Sequence, residues 1–268
     1  SGRALVALGA WMGLCLGAAG AHALEAPQHI ALSASVLKVE VQRRQGGYAL
    51  GSGVVVGAQR VLTNCHVTRD AVAITVLKNG LRHAARAQAV DLHHDLCLLQ
   101  VDRIEARDAL ALGSSTSLRH GQKVVALGYT GGLGLSVSEG TVVGLHPHDG
   151  GSVVQSSNFF NSGASGGALL DEQSRLVGIL TFRMRGGEAH YFSSPVEWLA
   201  IHVDGPERFE AVRPLGSRVT PYWAQIEAEQ PRFLRAQSLL RSGRWEELRT
   251  LARQWRGVVA AIDPQPAF

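Results

Sequence analysis

Short apolar stretches, each broken by glycine, asparagine or aspartate, fill the chain from Val36 to about Pro195. None of them shows the three- and four-residue apolar spacing of a long helix. Asn79-Gly80 separates two of the stretches, and this pair is favoured in the tight turn of a β-hairpin. The segment 109–122 is poor in strand-forming residues and divides the region into two units. Many short strands at close spacing predict an all-β sandwich or barrel architecture.

The pattern changes after Pro195 to that of a helical hairpin. Thr220-Pro221 has the residue types of a helix start, and Pro231 predicts the start of a further helix toward Leu240. Ser242-Gly243 ends that helix, and the next one carries a single apolar stripe of Trp245, Leu248, Leu251, Ala252, Trp255, Val258, Val259 and Ile262. The hairpin resembles one tetratricopeptide-type unit, which cannot bury its own stripe. We expect a helical cap packed on the β units; a module that binds a protein partner is the alternative.

The first residues have the pattern of a secretory signal peptide. Arg3 precedes an apolar stretch over residues 4–19, and Ala21-His22-Ala23 fits the small-residue cleavage site. We therefore expect residues 1–23 to be removed on export, with the mature protein periplasmic or secreted and without a membrane partner. A transmembrane anchor is the alternative, but the stretch is short, diluted by glycine and without a basic flank on its far side.

The composition is that of a globular protein, with 268 residues of which 46% are hydrophobic. The formal charge of +4 comes almost wholly from arginine and forms no basic block, so nucleic acid is not an expected partner. Of the three cysteines, Cys15 leaves with the signal peptide, and no cluster has metal-ligand spacing. His93 and His94, side by side, would point different ways on a strand or a helix. We predict no metal ion and no cofactor.

Three residues form a candidate nucleophilic site. Ser165 lies between Gly163 and Gly166 in a stretch that predicts a tight turn. A serine hydroxyl is a poor nucleophile unless a base takes its proton, and a turn rich in glycine and serine is by itself more typical of an ordinary loop. His66 follows an apolar strand, and histidine titrates near neutrality, which suits a general base. Asp95 opens another apolar strand, where a buried carboxylate needs a partner such as an imidazole N–H.

Three motifs occur in the order Thr63-Asn64-Cys65-His66-Val67, His94-Asp95-Leu96-Cys97-Leu98-Leu99 and Gly163-Ala164-Ser165-Gly166-Gly167-Ala168-Leu169. Together they resemble the motifs of trypsin/chymotrypsin-like serine proteases, and they are most similar to the bacterial HtrA-type branch. The resemblance implies an all-β fold of two six-stranded antiparallel β-barrels with the active site between them. The expected domains are a signal peptide (1–23), an N-terminal barrel (24–112), a C-terminal barrel (113–204) and a short helical extension (205–268).

The resemblance also implies a role for each residue of a Ser-His-Asp triad. Ser165 Oγ attacks the peptide carbonyl, His66 takes and returns the proton, and Asp95 orients the imidazole. The backbone N–H groups of Gly163 and Ser165 form the oxyanion hole. Ala164 stands where the trypsin branch has an aspartate, so activation by a new N-terminus pairing with that aspartate is not expected. The HtrA branch continues with a PDZ domain, and the extension is too short and too helical for one.

The cysteines beside the triad leave two alternatives open. Cys65 precedes His66, and Cys97 lies two residues beyond Asp95. Because His66 and Asp95 must touch, their neighbours could lie within bridging distance. A Cys65–Cys97 disulfide and two separate buried thiols are therefore both compatible with the sequence.

The resemblance places the substrate pocket at Phe159, near its floor, and at walls formed by Leu180, Thr181, Phe182 and His190. No negative charge among them would select lysine or arginine, which favours small or medium apolar side chains. Alternatively, His190, with Thr181 and Ser193 as helpers, would select glutamate.

The sequence thus predicts an exported serine endopeptidase that acts on proteins or peptides through an acyl-enzyme. One alternative is a catalytically idle trypsin-like scaffold, although a scaffold has no need of all three triad residues. An esterase that uses the same triad is the other alternative.

Overall fold

The computed structural model describes residues 32–132, 134–184, 191–200, 209–216 and 220–262, so the predicted signal peptide and His190 lie outside the described residues. The N-terminal elements are β1 (Val36–Arg43), β2 (Tyr48–Gly57), β3 (Arg60–Asn64), α1 (Cys65–Thr68), β4 (Ala71–Lys78), β5 (Leu81–Asp91) and β6 (Leu96–Val101). There follow β7 (Lys123–Gly128), β8 (Ser136–His148), β9 (Gly151–Ser156), β10 (Ala168–Leu170), β11 (Leu176–Arg183), β12 (Tyr191–Pro195), β13 (Glu210–Ala211), α2 (Tyr222–Arg241) and α3 (Trp245–Ile262).

The first six strands form the N-terminal barrel. They are hydrogen bonded in the order β5-β4-β1-β2-β3-β6, and β5 also pairs with β6, which closes the barrel. The β4–β5 hairpin turns at Asn79 and Gly80, with φ values of 50° and 76°. Two successive positive φ angles are what a two-residue type I′ turn requires. The predicted hairpin is therefore confirmed.

The C-terminal barrel has the strand order β10-β11-β12-β9-β8-β7 and is closed by the pairing of β10 with β7. All pairings in both barrels are antiparallel. The expectation of two six-stranded antiparallel barrels is confirmed. The short strand β13 pairs with β5 at the edge of the first barrel, so part of the segment 205–268, expected to be helical, is instead a strand.

The strand β6 shows how the two barrels are joined. Leu99 packs in the core of the first barrel, whereas Leu98 belongs to a second cluster that also contains Leu127 and Ile179 of the C-terminal barrel. Because successive side chains of a strand point to opposite faces, the continuous apolar run of β6 is buried on both sides. The barrels therefore pack directly on each other, with β6 at their junction.

Helices α2 and α3 form the predicted hairpin. They pack against each other, and Leu239 of α2 and Leu251 of α3 are buried. Pro231 lies inside α2 and does not start a new helix. A proline removes one helical hydrogen bond, and the remaining bonds of a 20-residue helix are retained on both sides of it. Among the described helices, none is long and apolar enough to cross a membrane.

The start of α2 differs from the expected cap. The helix begins at Tyr222, and no side chain of the preceding residues caps it, so Thr220 does not have the predicted role. The backbone N–H of Tyr222 instead donates to the carbonyl of His93, at 2.9 Å. This bond fixes the first turn of α2 to the loop between β5 and β6.

Candidate active site

The pairing of β3 with β6 brings His66 and Asp95 together. Asn64, the last residue of β3, lies opposite Leu96, the first residue of β6. The strand before His66 ends at Asn64, and His66 itself lies in the single helical turn of α1. His66 Nδ1 lies 2.6 Å from Asp95 Oδ2, and the His66 backbone N–H donates to Asp95 Oδ1 at 2.7 Å. One carboxylate thus holds both the ring and the main chain of His66.

Asp95 is buried, with 1% of its surface exposed, whereas the side chain of His66 is 29% exposed. A buried carboxylate is costly unless its oxygens accept hydrogen bonds. Besides the two bonds to His66, Oδ2 accepts a third from the indole Nε1 of Trp223, at 2.8 Å. The carboxylate is therefore hydrogen bonded on both oxygens and faces an imidazole that solvent can reach.

Trp223 is a site residue that sequence reasoning missed. It lies in the first turn of α2, edge-on to the His66 ring with 5.6 Å between centroids, and it stacks on Phe182 at 5.9 Å. The preceding Tyr222 donates or accepts a hydrogen bond with Ser194 through its hydroxyl, at 2.9 Å. Burial raises the pKa of the Tyr222 hydroxyl, so the phenol stays protonated. Both aromatic residues attach the C-terminal hairpin to the site.

Cys65 and Cys97 form a disulfide, with 4.9 Å between their Cα atoms. In the β3–β6 pair, Thr63 lies opposite Cys97, so that the chain leaving β3 passes beside it. Of the two alternatives compatible with the sequence, the structure has the bridge. It connects the residue before His66 to the strand that follows Asp95.

The turn that carries Ser165 is bound to the first barrel by Ser52. The Ser52 backbone N–H donates to the Ser165 carbonyl at 2.8 Å, and Ser52 Oγ donates to the Gly163 carbonyl at 2.8 Å. Ser52 Oγ also accepts from the backbone N–H of Tyr129, at 2.8 Å. Sequence reasoning did not single out Ser52, although the glycines on either side of it are a signal of close backbone approach.

Gly166 allows the turn to approach the first barrel this closely. Its φ is +85°, and a Cβ atom there would lie 2.1 Å from the Ser52 carbonyl oxygen and 2.4 Å from Thr63 Oγ1. Both the backbone conformation and the available space therefore require glycine at this position.

Residues Asn161 to Ala164 form a turn closed by a hydrogen bond from the Ala164 N–H to the Asn161 carbonyl, at 3.0 Å. Gly163, the third residue of the turn, has a φ of 95°, as a type II turn requires. The Ser162 carbonyl accepts from the Gly131 N–H at 2.8 Å. Because the C=O and N–H of a trans peptide point in opposite directions, the Gly163 N–H points away from Gly131.

The N–H groups of Gly163 and Ser165 donate to no acceptor in the described part of the chain. Their neighbours in the turn, by contrast, are bonded: the Gly166 N–H donates to the Leu180 carbonyl at 2.9 Å. An oxyanion hole needs two such free N–H groups close to the serine hydroxyl, and here they belong to Ser165 itself and to the residue two positions before it.

Ser165 Oγ donates to the Thr181 carbonyl at a long distance of 3.4 Å. Among the hydrogen bonds of the described residues, none joins Ser165 Oγ to His66. The two residues are connected through the junction of the barrels: Asn64 Nδ2 lies 3.4 Å from Thr181 Oγ1 and donates to the Asp95 carbonyl at 2.9 Å. The three predicted residues therefore lie at one junction, and two of them, His66 and Asp95, are hydrogen bonded to each other.

The residues predicted to line the pocket do not form one surface. Phe159, expected near the floor, is 59% exposed and contacts the Tyr191 ring. Leu180 is fully buried in the core of the second barrel and cannot be a pocket wall through its side chain. Thr181 is buried, with Oγ1 bonded to Ser194 Oγ at 2.8 Å. The side chains of Leu180 and Thr181 therefore face the interior of the second barrel, whereas Phe159 faces solvent.

A bulge explains why Leu180 and Phe182 face different surroundings. The pairing of β11 with β12 shifts register between these residues, which breaks the alternation that would put them on one face. Phe182 is only partly buried and stacks on Phe192, with 4.7 Å between centroids. Among the described residues predicted to form pocket walls, Phe182 is the one that contacts Trp223. Trp223 in turn contacts the His66 ring.

His93 and His94 converge on Asp149, although their adjacency suggested that they would point apart. They lie in the turn 92–95 between β5 and β6, where neither strand nor helix geometry applies. Their Nε2 atoms lie 3.5 and 3.2 Å from Asp149 Oδ2, respectively. His93, His148 and Asp149 have ligand atoms within 4.8 Å of one another, a spacing that could hold a metal ion, whereas His94 is not part of that group.

Two closed barrels, with the His66–Asp95 pair and the Ser165 turn at their junction, define the chymotrypsin-like class of fold. Residues 51–179 match the family model of the trypsin-like peptidase domain. The chain is therefore similar to trypsin-like peptidase domains over this region, and the predicted resemblance to the HtrA-type branch is confirmed by its relatives.

The periplasmic serine endoprotease DegP of Escherichia coli (strain K12) is 35% identical over 147 residues, which cover 52% of this chain and 31% of DegP. The serine protease HTRA1A of Danio rerio is 32% identical over 161 residues, covering 56% of this chain and 33% of that protein. A solved structure of the HtrA-type protease AlgW with a tripeptide has a TM-score of 0.59 and 27% identity, covering 66% of this chain and 61% of AlgW. The matched region spans about a third of the length of these curated relatives.

Proposed function

We propose that the chain is an exported serine endopeptidase that hydrolyses peptide bonds with Ser165, His66 and Asp95. The observation that carries the proposal is the buried Asp95 carboxylate 2.6 Å from His66 Nδ1, beside a serine on a glycine-rich turn. A structural carboxylate would not need a partly exposed imidazole as its partner. The trypsin-like peptidase domain and the serine endoprotease relatives support the same reaction.

In the proposed mechanism, Asp95 holds Nδ1 of His66, so Nε2 accepts the Ser165 proton as Oγ attacks the scissile carbonyl. The imidazolium then gives this proton to the amine leaving group, and the C–N bond breaks to leave an acyl ester on Ser165. Water attacks the ester after losing a proton to the same imidazole, and the acid product leaves as Ser165 regains its proton. Attack requires Ser165 Oγ to exchange its long bond to the Thr181 carbonyl for one to His66.

The oxyanion of each tetrahedral intermediate would be held by the N–H groups of Gly163 and Ser165. The orientation of the Ser162–Gly163 peptide, fixed by the Gly131 N–H, supports a hole that is already formed before substrate binds. Preformed donors need no reorganisation when charge develops, and each is commonly worth about 10²–10³ in rate.

The substrate would be a protein or peptide chain, and the pocket would prefer small or medium apolar side chains. Phe182 is the described residue that supports an apolar wall, since its ring lies partly exposed between Phe192 and Trp223. A preference for glutamate through His190 is the alternative. We place the mature protein in the periplasm or outside the cell, as the signal-like residues 1–23 and the periplasmic relative DegP suggest.

A fluorophosphonate probe tests the nucleophile directly. We expect it to label wild-type protein and the Ser162→Ala variant but not Ser165→Ala, because Ser162 is an exposed residue of the same loop. Casein cleavage should fall roughly 10⁴-fold or more in Ser165→Ala, since the triad acts as a unit.

The absence of a Ser165–His66 hydrogen bond in the described residues favours one other function, a scaffold that binds partners without catalysis. A folded wild type that neither reacts with the probe nor cleaves casein would support this scaffold and overturn the peptidase. Turnover of a short-chain ester without any proteolysis would instead identify an esterase.

A further inference from the structure

Three imidazole nitrogens converge on a single carboxylate oxygen, Asp149 Oδ2. The Nε2 atoms of His94, His93 and His148 lie 3.2, 3.5 and 3.6 Å from it, respectively. The first two residues come from the β5–β6 turn of the N-terminal barrel, and the other two from the β8–β9 hairpin of the C-terminal barrel. The cluster thus spans the junction of the two barrels.

Hydrogen bonding accounts for the His94 contact but not for all three contacts together. A carboxylate oxygen has two lone pairs, so it cannot accept three imidazole N–H groups in good geometry. A tetrahedral metal centre with bonds of about 2.0–2.1 Å, by contrast, separates its ligand atoms by about 3.4 Å. The nitrogen–oxygen distances of His93 and His148 match that edge length, and the ligand atoms of His93, His148 and Asp149 all lie within 4.8 Å of one another.

His94 lies outside this group of ligand atoms but supports it, because its Nε2 is hydrogen bonded to Asp149 Oδ2 at 3.2 Å. His94 Nδ1 lies 2.6 Å from Asp91 Oδ2, and the His94 backbone N–H donates to Asp91 Oδ1 at 3.0 Å. A carboxylate on one ring nitrogen fixes the tautomer of His94 and directs the other nitrogen, here toward Asp149. The His94 side chain is only 10% exposed and packs on Trp198, with 4.3 Å between ring centroids, so its orientation is set before any ligand binds.

Asp149 is held in place in the same way from the other barrel. Its carbonyl accepts a hydrogen bond from the Trp198 indole, at 3.0 Å, and its φ is 42° in the turn before Gly150. His93, His148 and Asp149 are about half exposed, which gives an ion a route from solvent.

We propose that His93, His148 and Asp149 form a binding site for one divalent transition metal ion of the Zn²⁺ class, with His94 orienting Asp149 and Asp91 orienting His94. Two imidazoles and one carboxylate suit zinc and neighbouring metals better than the oxygen-preferring Ca²⁺ or Mg²⁺. The bound ion would connect the two barrels two residues from Asp95. The site does not depend on the peptidase activity proposed above, since none of its ligands belongs to the triad.

Metal binding is to be measured on the full chain without a histidine tag, after chelator treatment and dialysis. We expect isothermal titration with ZnCl₂ to give one saturable site per chain in wild type, and an affinity lowered by at least about 10–100-fold in His148→Ala, the loss typical of a perturbed ligand shell. His146→Ala is the matched control: His146 lies on the same strand but contacts Gln155 instead of the cluster. Its affinity should equal that of wild type.

Two further measurements separate binding from folding and from unspecific contact. A fixed Zn²⁺ concentration just sufficient to saturate wild type should raise the melting temperature of wild type and His146→Ala, because the ion binds the folded state, and raise that of His148→Ala clearly less. Asp149→Asn removes the charge but tolerates the left-handed backbone, so it should fold yet bind weakly. The proposal is overturned if folded wild type shows no stoichiometric binding, or if His146→Ala and His148→Ala lose affinity equally.

Discussion

The indole N–H of Trp223 donates to Asp95 Oδ2 at 2.8 Å, the oxygen that also contacts His66 Nδ1. Trp223 stands 128 positions after Asp95 in the chain. The hairpin is therefore part of the site and not only a cap on the barrels: its first turn completes the hydrogen bonding of a buried carboxylate. A carboxylate with fewer donors is less well fixed and less able to orient the imidazole.

Replacement of Trp223 by phenylalanine tests this relationship. The ring that stacks on Phe182 is kept, while the hydrogen bond to Asp95 is lost. We expect kcat for a peptide substrate to fall roughly tenfold, since a hydrogen bond to a charged group contributes about 1.5–3 kcal/mol. KM should change little. Steady-state kinetics of the two proteins provide the measurement.

Trp245→Phe is the control, because Trp245 is 56% exposed at the start of α3. Its kcat should equal that of wild type. Equal kcat values for Trp223→Phe and Trp245→Phe would show that the Trp223 bond has no part in catalysis.

Ser52→Ala probes the connection between the first barrel and the turn 161–164, which carries one of the proposed oxyanion donors. The change removes the bonds from Ser52 Oγ to the Gly163 carbonyl and from the Tyr129 N–H to Ser52 Oγ. Both groups lie in a buried region, so we expect stability to fall by about 1–3 kcal/mol. We also expect kcat to fall roughly tenfold, less than for loss of an oxyanion donor.

Urea denaturation and steady-state kinetics measure the two effects of Ser52→Ala separately. Ser136→Ala, at the exposed start of β8, should leave both quantities as they are in wild type. A destabilised Ser52→Ala protein with unchanged kcat would mean that the turn keeps its shape without Ser52.

Much of the fold could be predicted because its signals are local. The Asn79-Gly80 pair needs only its own two positive φ angles to define a hairpin. The apolar run at Leu96 to Leu99 indicates a strand buried on both faces, and the structure places that strand between two cores. Short-range spacing was sufficient for such elements, and the motifs then supplied the arrangement of the two barrels.

Other features depend on contacts that no local pattern reveals. Nothing in the sequence around Trp223 marks it as a partner of Asp95; their hydrogen bond depends on where α2 begins, which the bond from the Tyr222 N–H to the His93 carbonyl helps to fix. Leu180 was misplaced because a bulge in β11 breaks the alternation of side chains. The β13 strand pairs with β5 from far along the chain, and two residues are too few to give a pattern.

The Cys65–Cys97 disulfide should contribute strongly to stability. It closes a loop with a sequence separation of 32, for which the loss of chain entropy in the unfolded state predicts about 3–4 kcal/mol. We expect the double variant Cys65→Ala/Cys97→Ala to melt roughly 10 °C below wild type. Dithiothreitol should lower the melting temperature of wild type and leave that of the double variant unchanged. Free thiols at both positions in native wild type, detected by alkylation and mass spectrometry, would contradict the bridge.

Glu40 should make stability depend on pH in the acid range. Its carboxylate lies 3.2 Å from Lys38 Nζ and 2.8 Å from Arg82 Nη2 on the outer face of the first barrel. Burial alone would raise the pKa of Glu40, but the hydrogen bonds from Lys38 and Arg82 outweigh it and hold the pKa below its ordinary value of 4.5. A group with a lowered folded-state pKa stabilises the fold above its unfolded pKa, and this contribution is lost as pH falls through the folded pKa.

We therefore expect Glu40→Gln to lower the free energy of unfolding by roughly 0.2–1 kcal/mol near neutral pH, the usual range for a pair that solvent reaches. The difference from wild type should shrink as pH falls below about 4.5 and vanish below the lowered folded-state pKa, where the carboxyl is protonated in both states. Urea denaturation across this range measures it. Glu172→Gln, at an exposed carboxylate that contacts no cation among the described residues, should show no such trend. A Glu40→Gln difference that grows as pH falls would mean that the carboxyl is stabilised in its protonated form.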